Sequence, residues 1–205
     1  MSARLWALCC LLNPVVSSAW TGSTPSAGPD VVVYLKTDSV QPARSLEHMK
    51  RELGALMSVP GYRVEWRDAQ SPDRNVDNAE LVVVELRGSC GVPPGWLAAG
   101  HTGRADSLAS THVSGAKVLP FSWLNCDSLT RLLAPSLAGE ADAQRDYLYG
   151  RAMARLVAHE LYHILANTRE HGREGIGKAG FTSKDLLSER FGFATASTAL
   201  IAKAR

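Results

Sequence analysis

Hydrophobic positions in the first third of the chain switch between the short period of strands and the longer period of helices. The β-branched run DVVVYLKTD predicts a strand near 31–35, and YRVEWRD at 62–68 alternates as another strand. Between them, a single apolar stripe at helical spacing predicts a helix, formed by Leu46, Met49, Leu53, Leu56 and Met57. Pro60 and Gly61 mark the end of this helix.

The middle of the chain predicts two more strands and a short helix. AELVVVELRG at 79–88 is a continuous apolar run, which is typical of a strand buried on both faces. AKVLPFSWLNCD at 116–127 predicts another strand, and Pro120 indicates an edge position because proline donates no ladder hydrogen bond. SLTRLLAP at 128–135 predicts a short helix. The order of strands around a crossover helix indicates an α/β sheet.

A long helix is predicted from about Asp142 to Ala166, where the chain contains no proline and a single glycine. Its inward face continues at spacings of three and four through Leu148, Ala152, Leu156, His159 and His163. After a glycine-rich segment, SKDLLSERF at 183–191 predicts a short closing helix, with Ser183 as its N-cap.

Composition and charge fit one globular domain, which we expect to cover 30–205. The chain has 205 residues, of which 45% are hydrophobic and 20% charged, so it is long enough to bury a core. The net charge is only +2 and no block rich in lysine or arginine occurs, which argues against nucleic acid as a partner. We expect a monomer.

The N-terminal residues have the three-part pattern of a secretory signal peptide at 1–19. Arg4 precedes an apolar run at 5–16, and small residues follow as far as Ala19. The apolar run is short for a membrane span, although an uncleaved anchor or a buried terminal strand is the alternative. The breaker-rich residues that follow predict a flexible leader at 20–29. We therefore expect export to the periplasm or the exterior, with no membrane span in the mature chain.

Removal of the signal peptide would leave two cysteines, Cys90 and Cys126. An even number of cysteines in an exported chain favours a disulfide, and two unrelated buried thiols are the alternative. A bridge between them would close a loop of 36 residues. It would stabilise the fold by about 3 to 4 kcal/mol.

The segment AHELYHILANTREHG contains three of the six histidines and predicts a metal site. His159 and His163 are four residues apart on one helical face, so their imidazoles can converge on a zinc ion. Glu160 can reach the open position of such a metal and take a proton from water. Asn167 tolerates the left-handed conformation that ends a helix, and His171 then follows as the predicted third ligand.

The third ligand has alternatives in the downstream carboxylates, namely Glu174, Asp185 and Glu189. In that case His171 would be a solvated loop histidine. Chance occurrence of the spacing on a solvated helix face is disfavoured, because this face is apolar and unpaired polar groups buried there would be costly.

The stretch from His159 to His171 resembles the zinc signature of metzincin-type metallopeptidases, which is HExxH, a helix-breaking residue and a third histidine. Together with THVSGAKVLPFSWLNCD, it also resembles a group of short exported bacterial proteins that carry HELYH or HELGH. The resemblance covers most of 30–193. It implies an α/β (α+β) fold with a twisted mixed sheet, a backing helix, an antiparallel edge strand and a long active-site helix. It also implies one catalytic zinc.

Three features differ from the usual metzincin pattern. The third histidine follows the first by twelve residues rather than ten, and Asn167 stands in place of the breaking glycine. No methionine follows Met153, so GIG at 175–177 would have to occupy the place of the methionine turn. No tyrosine follows His171.

These observations predict an exported zinc metallopeptidase that hydrolyses peptide bonds in a peptide or protein substrate, with Glu160 as general base. The predicted edge strand at 117–125 would hold an extended peptide by strand addition, with Trp123 and Leu124 as substrate-binding residues. One alternative is a non-catalytic zinc-stabilised binding protein of the cell envelope, in which Glu160 is structural. The other is a metal-free binding module whose histidines only pack.

Overall fold

A computed structural model of the chain describes residues 30–68, 70, 79–93, 95–96 and 106–203. The predicted signal peptide at 1–19 and the predicted leader at 20–29 lie outside these residues, so both stay predictions. None of the helices within the described ranges is long and apolar enough to cross a membrane.

The described residues form a mixed five-stranded sheet and five helices. The strands are β1 (Val31–Thr37), β2 (Val64–Asp68), β3 (Glu80–Arg87), β4 (Ala109–Ser114) and β5 (Lys117–Asn125). The helices are α1 (Ala43–Ser58), α2 (Cys126–Leu137), α3 (Asp142–Leu165), α4 (Ser183–Leu187) and α5 (Thr195–Lys203). The strand order is β2-β1-β3-β5-β4, in which only β4 runs antiparallel to its neighbour. This arrangement confirms the predicted α/β (α+β) fold class.

The predicted position of β5 at the edge of the sheet is wrong. β5 lies between β3 and β4, and β4 is the antiparallel edge strand. Pro120 is accommodated because the ladder to β3 begins only at Phe121, and the ladder to β4 has a register shift at this point. A bulge of this kind leaves a position without a ladder hydrogen bond, which is what proline requires.

The sheet buries one face more completely than the other. Val82, Val84 and Leu86 of β3 lie in the same hydrophobic core as buried residues of α1 and α3. Leu81 of the same strand is 43% exposed on the opposite face. The prediction that this strand is buried on both faces is therefore wrong, because its side chains alternate between the core and a more open surface.

Helices α1 and α3 pack closely against each other over the sheet. The predicted stripe of α1 buries Met49, Leu53 and Met57, and the helix ends at Ser58, close to the predicted stop. A Cβ atom at Gly150 would lie 2.5 Å from the Ser45 carbonyl oxygen, so only glycine permits this approach. The predicted long helix is confirmed as α3.

The predicted disulfide between Cys90 and Cys126 is present, with the two Cα atoms 4.7 Å apart. It joins the segment after β3 to the first residue of α2. The side chain of Asn125 caps this helix by accepting a hydrogen bond from the Ser128 N–H at 3.0 Å. The bridge and the cap together fix the direction in which the chain leaves β5.

The C-terminal helices differ from the prediction in two ways. α4 is capped by Thr182 rather than Ser183, through a capping box with Asp185, and it ends at Leu187. α5 was not predicted from the sequence. The buried guanidinium of Arg155 in α3 donates hydrogen bonds to the backbone carbonyls of Asp185 and Leu186, at 2.9 and 2.8 Å. These bonds hold α4 against α3.

Asp185 gives the C-terminal segment an acid-sensitive contact. Burial alone would raise the pKa of Asp185, but hydrogen bonds from Lys178 and Thr182 outweigh burial and lower this pKa to about 2. Since the folded-state pKa lies below the ordinary value of 3.8, the carboxylate stabilises the fold above about pH 4. That contribution is lost as the pH falls towards 2.

We predict that Asp185→Ala lowers the free energy of unfolding at pH 7 by about 1 to 2 kcal/mol, because it removes the capping box and the ion pair. The difference from the wild type should shrink as the pH falls from 4 to 2. Urea denaturation at several pH values measures both effects. Asp142→Ala, on an exposed side chain at the start of α3, is the matched control. Equal losses in the two variants would contradict the prediction.

Candidate metal centre

The hydrogen bonds of His159 and His163 fix how the two rings are oriented. Nδ1 of His159 lies 2.7 Å from the Ile176 carbonyl oxygen, and Nδ1 of His163 lies 2.8 Å from the Thr168 carbonyl oxygen. A carbonyl oxygen only accepts, so each ring carries its proton on Nδ1. The unprotonated Nε2 of each ring is therefore directed into the site.

The two Nε2 atoms lie 3.1 Å apart. Burial lowers the pKa of His159 to about 4, and burial also lowers the pKa of His163. Neutral rings in these tautomers place two lone pairs against each other, which is unfavourable unless a cation lies between them. Histidine ligands whose other nitrogen donates to a backbone carbonyl are the usual arrangement around a metal. The orientation of this pair therefore fits a metal ion.

His171 completes a three-histidine group with this pair. One ligand atom from each of His159, His163 and His171 lies within 4.8 Å of the other two. The ring of His171 is stacked 5.3 Å from the ring of His159 and lies 4.7 Å from that of His163. His171 is exposed whereas the other two are buried, so the group opens to solvent on one side. Three imidazoles with one open position could hold a metal ion that also binds water.

The turn after α3 is built from the residue that was predicted to end the helix. Asn167 has a φ of 43°, the left-handed conformation that asparagine tolerates. Its side-chain oxygen accepts a hydrogen bond from the Val118 N–H at 3.0 Å, which joins the end of the helix to β5. The Thr168 N–H donates to the His163 carbonyl at 3.0 Å. The predicted helix stop is confirmed.

Tyr162 supports the loop that carries His171. Its side chain is buried, and its hydroxyl donates to the carbonyl oxygen of Glu170 at 3.2 Å. Glu170 directly precedes His171 in the sequence. The tyrosine between the two motif histidines therefore helps to set where the third histidine lies.

Glu160 lies in the same cleft, which has a volume of about 340 Å³. Its side chain is only 3% exposed, and one carboxylate oxygen, Oε2, accepts a hydrogen bond from the hydroxyl of Thr111 at 2.6 Å. Burial raises the pKa of Glu160 to about 7, although the hydrogen bond from Thr111 acts to lower it. The cleft therefore contains a buried carboxylate beside the three histidines.

The alternative third ligands do not join the histidine group. Glu174 and Glu189 are exposed, and the carboxylate of Asp185 is engaged by Thr182 and Lys178. Among the described residues, the three histidines form the only cluster of three or more side chains that could hold a metal ion.

The predicted substrate-binding residues do not line the cleft. Leu124 is fully buried in the core, and the ring of Trp123 lies under the guanidinium of Arg87 at 4.7 Å. The sequence prediction instead missed Thr111, because the polar segment that forms β4 has no regular apolar alternation. It also missed the carbonyl oxygens of Thr168 and Ile176, since backbone acceptors leave no signal in residue type.

A scan against protein-family models finds no match for this chain, and a search of curated proteins gives no significant match. The resemblance to metzincins therefore stays a prediction.

We predict that Tyr162→Phe weakens zinc binding about tenfold, the usual effect of losing a contact that orients a metal ligand. The measurement is the dissociation constant for zinc by competition with a chelator. Tyr149→Phe is a matched control, since this buried tyrosine of the same helix also donates to a backbone carbonyl, that of Cys126, at 2.9 Å. An unchanged affinity in Tyr162→Phe, or an equal loss in the control, would contradict the assigned role.

Proposed function

We propose that this chain is a zinc-dependent peptidase. The observation that supports the proposal is the three-histidine group beside the buried carboxylate of Glu160, in one open cleft. Three imidazoles are a ligand set that suits zinc and leaves a position for water or substrate. His159, His163 and His171 are the proposed ligands.

Zinc bound here would acidify a water molecule and polarise the carbonyl group that is attacked. Glu160 acts as the general base and transfers the proton. Its carboxylate takes a proton from the water as the water oxygen adds to the carbonyl carbon of the peptide bond. It then delivers the same proton to the leaving nitrogen as the C–N bond breaks, which returns Glu160 to its ionised form.

The proposed peptide site is the outer edge of β4, which replaces the predicted edge at 117–125. β4 has β5 on one side, and its other side has no partner strand among the described residues. Ser110, Thr111 and Val113 of this strand line the cleft together with the histidines. An extended peptide added along β4 would bind through main-chain hydrogen bonds and would pass the metal site.

Export of the protein is part of the proposal. The disulfide between Cys90 and Cys126 is typical of oxidising compartments such as the periplasm and the exterior. It supports the signal peptide predicted at 1–19. The expected state is a monomer that acts on a peptide or protein substrate and binds no nucleic acid.

A second candidate is a non-catalytic zinc protein of the cell envelope. The hydrogen bonds of His159 and His163 to the Ile176 and Thr168 carbonyls join α3 to the segment that follows it. A metal held by these rings would therefore stabilise the C-terminal part of the fold, whatever the role of Glu160. A metal-free binding module is disfavoured by the two facing Nε2 atoms, which are 3.1 Å apart.

The substitution Glu160→Gln separates the two candidates. We predict that it lowers peptide hydrolysis by about 100-fold or more while zinc content is unchanged, because only the base is lost. The assay uses the zinc-loaded mature chain and a mixed library of quenched fluorescent peptides. Glu174→Gln, at an exposed glutamate outside the histidine group, is the matched control and should keep wild-type activity. Equal activity in both variants, or none in the wild type, would favour the non-catalytic candidate.

A further inference from the structure

Thr111 makes the one side-chain hydrogen bond to the Glu160 carboxylate within the described part of the chain. Its Oγ1 lies 2.6 Å from Oε2 of Glu160. The threonine hydroxyl is the donor, and the carboxylate oxygen accepts. A hydrogen bond to a charged acceptor is shorter and stronger than one between neutral groups. The contact therefore joins the edge strand β4 directly to the proposed general base on α3.

The strand places Thr111 so that its hydroxyl reaches the helix. Thr111 pairs with Ser122 of β5, and the ladder shifts register between Thr111 and Val113. Register shifts of this kind bend a strand and change the direction of the side chains beside them. Threonine is branched at Cβ and restricted at χ1, so the direction of its hydroxyl is well defined once the strand is formed. These features hold the donor in place independently of Glu160.

We propose that Thr111 is a positioning residue for Glu160, an inference that rests on the peptidase function proposed above. The hydroxyl of Thr111 holds Oε2, which leaves Oε1 to receive the proton from water. The O–H bond of the water breaks as this proton moves to Oε1 and the water oxygen bonds to the carbonyl carbon. The proton then moves to the peptide nitrogen as the C–N bond breaks.

The expected contribution of the Thr111 hydroxyl to kcat follows from the conformational freedom of the Glu160 side chain. Glutamate has three side-chain torsions, and a carboxylate without a partner is spread over several orientations. Only an orientation with one oxygen near the water is productive, and small misplacements of a reacting group can reduce rates by two orders of magnitude. Loss of the Thr111 hydroxyl should therefore lower kcat more than it changes substrate or zinc binding.

The experiment compares Thr111→Val with Thr111→Ser. Valine keeps the branched shape without the hydroxyl, whereas serine keeps the hydroxyl without the methyl group. The readouts are zinc content, kcat and KM for a quenched fluorescent peptide that the wild type cleaves. Thr111→Val should lower kcat about 10- to 100-fold with KM within about threefold and zinc content unchanged. Thr111→Ser should keep most of the activity. An unaffected kcat in Thr111→Val, or equal losses in both variants, would overturn the proposal.

A second readout does not depend on activity. Crystal structures of the zinc-loaded wild type and Thr111→Ser should show the Glu160 carboxylate in one orientation, with Oε2 on the hydroxyl of residue 111. In Thr111→Val the carboxylate should turn away or occupy several orientations. An unchanged carboxylate in Thr111→Val overturns the proposal. If the wild type cleaves no peptide but the carboxylate is released in Thr111→Val, the peptidase function fails while the positioning by Thr111 is supported.

Discussion

The structure depends on the way two buried imidazoles are held. His159 and His163 each donate from Nδ1 to a backbone carbonyl, and their Nε2 atoms face each other 3.1 Å apart. Burial keeps both rings neutral near pH 7, since it lowers both pKa values. Two facing lone pairs repel each other, and histidines oriented by backbone carbonyls are common around metals, so this arrangement could hold a metal ion. The carbonyls that orient the rings belong to residues after α3, which makes the C-terminal segment part of the site.

The position of His171 beside these two rings depends on the conformation of the chain between α3 and α4. The loop after α3 brings the ring of His171 back beside the rings of His159 and His163. Asn167 starts the turn in a left-handed conformation, and the Tyr162 hydroxyl donates a hydrogen bond to the Glu170 carbonyl. Close packing continues at Gly177, where a Cβ atom would lie 2.4 Å from the Ser197 hydroxyl of α5. The loop that carries His171 is thus held by contacts with α3 and α5.

Features that depend on local spacing could be predicted from the sequence, and features that depend on distant pairing could not. The helical stripe of α3, its stop at Asn167 and the convergence of His159 and His163 all follow from residues within a few turns of each other. β4 is polar and gains its strand conformation from pairing with β5, so neither its existence nor its place at the edge was predicted. The edge position predicted from Pro120 was wrong because a bulge accommodates this proline inside the sheet. Since Thr111 lies on β4, its contact with Glu160 could not be predicted either.

The most direct test of this account is the zinc content of residues 20–205, the chain without the predicted signal peptide, purified without metal-affinity chromatography and dialysed against zinc. The three-histidine arrangement predicts about one zinc per chain, and loss of most of that zinc in His171→Ala. No bound zinc in the wild type would contradict the account. In that case the orientation of His159 and His163 would need an explanation other than a metal ion.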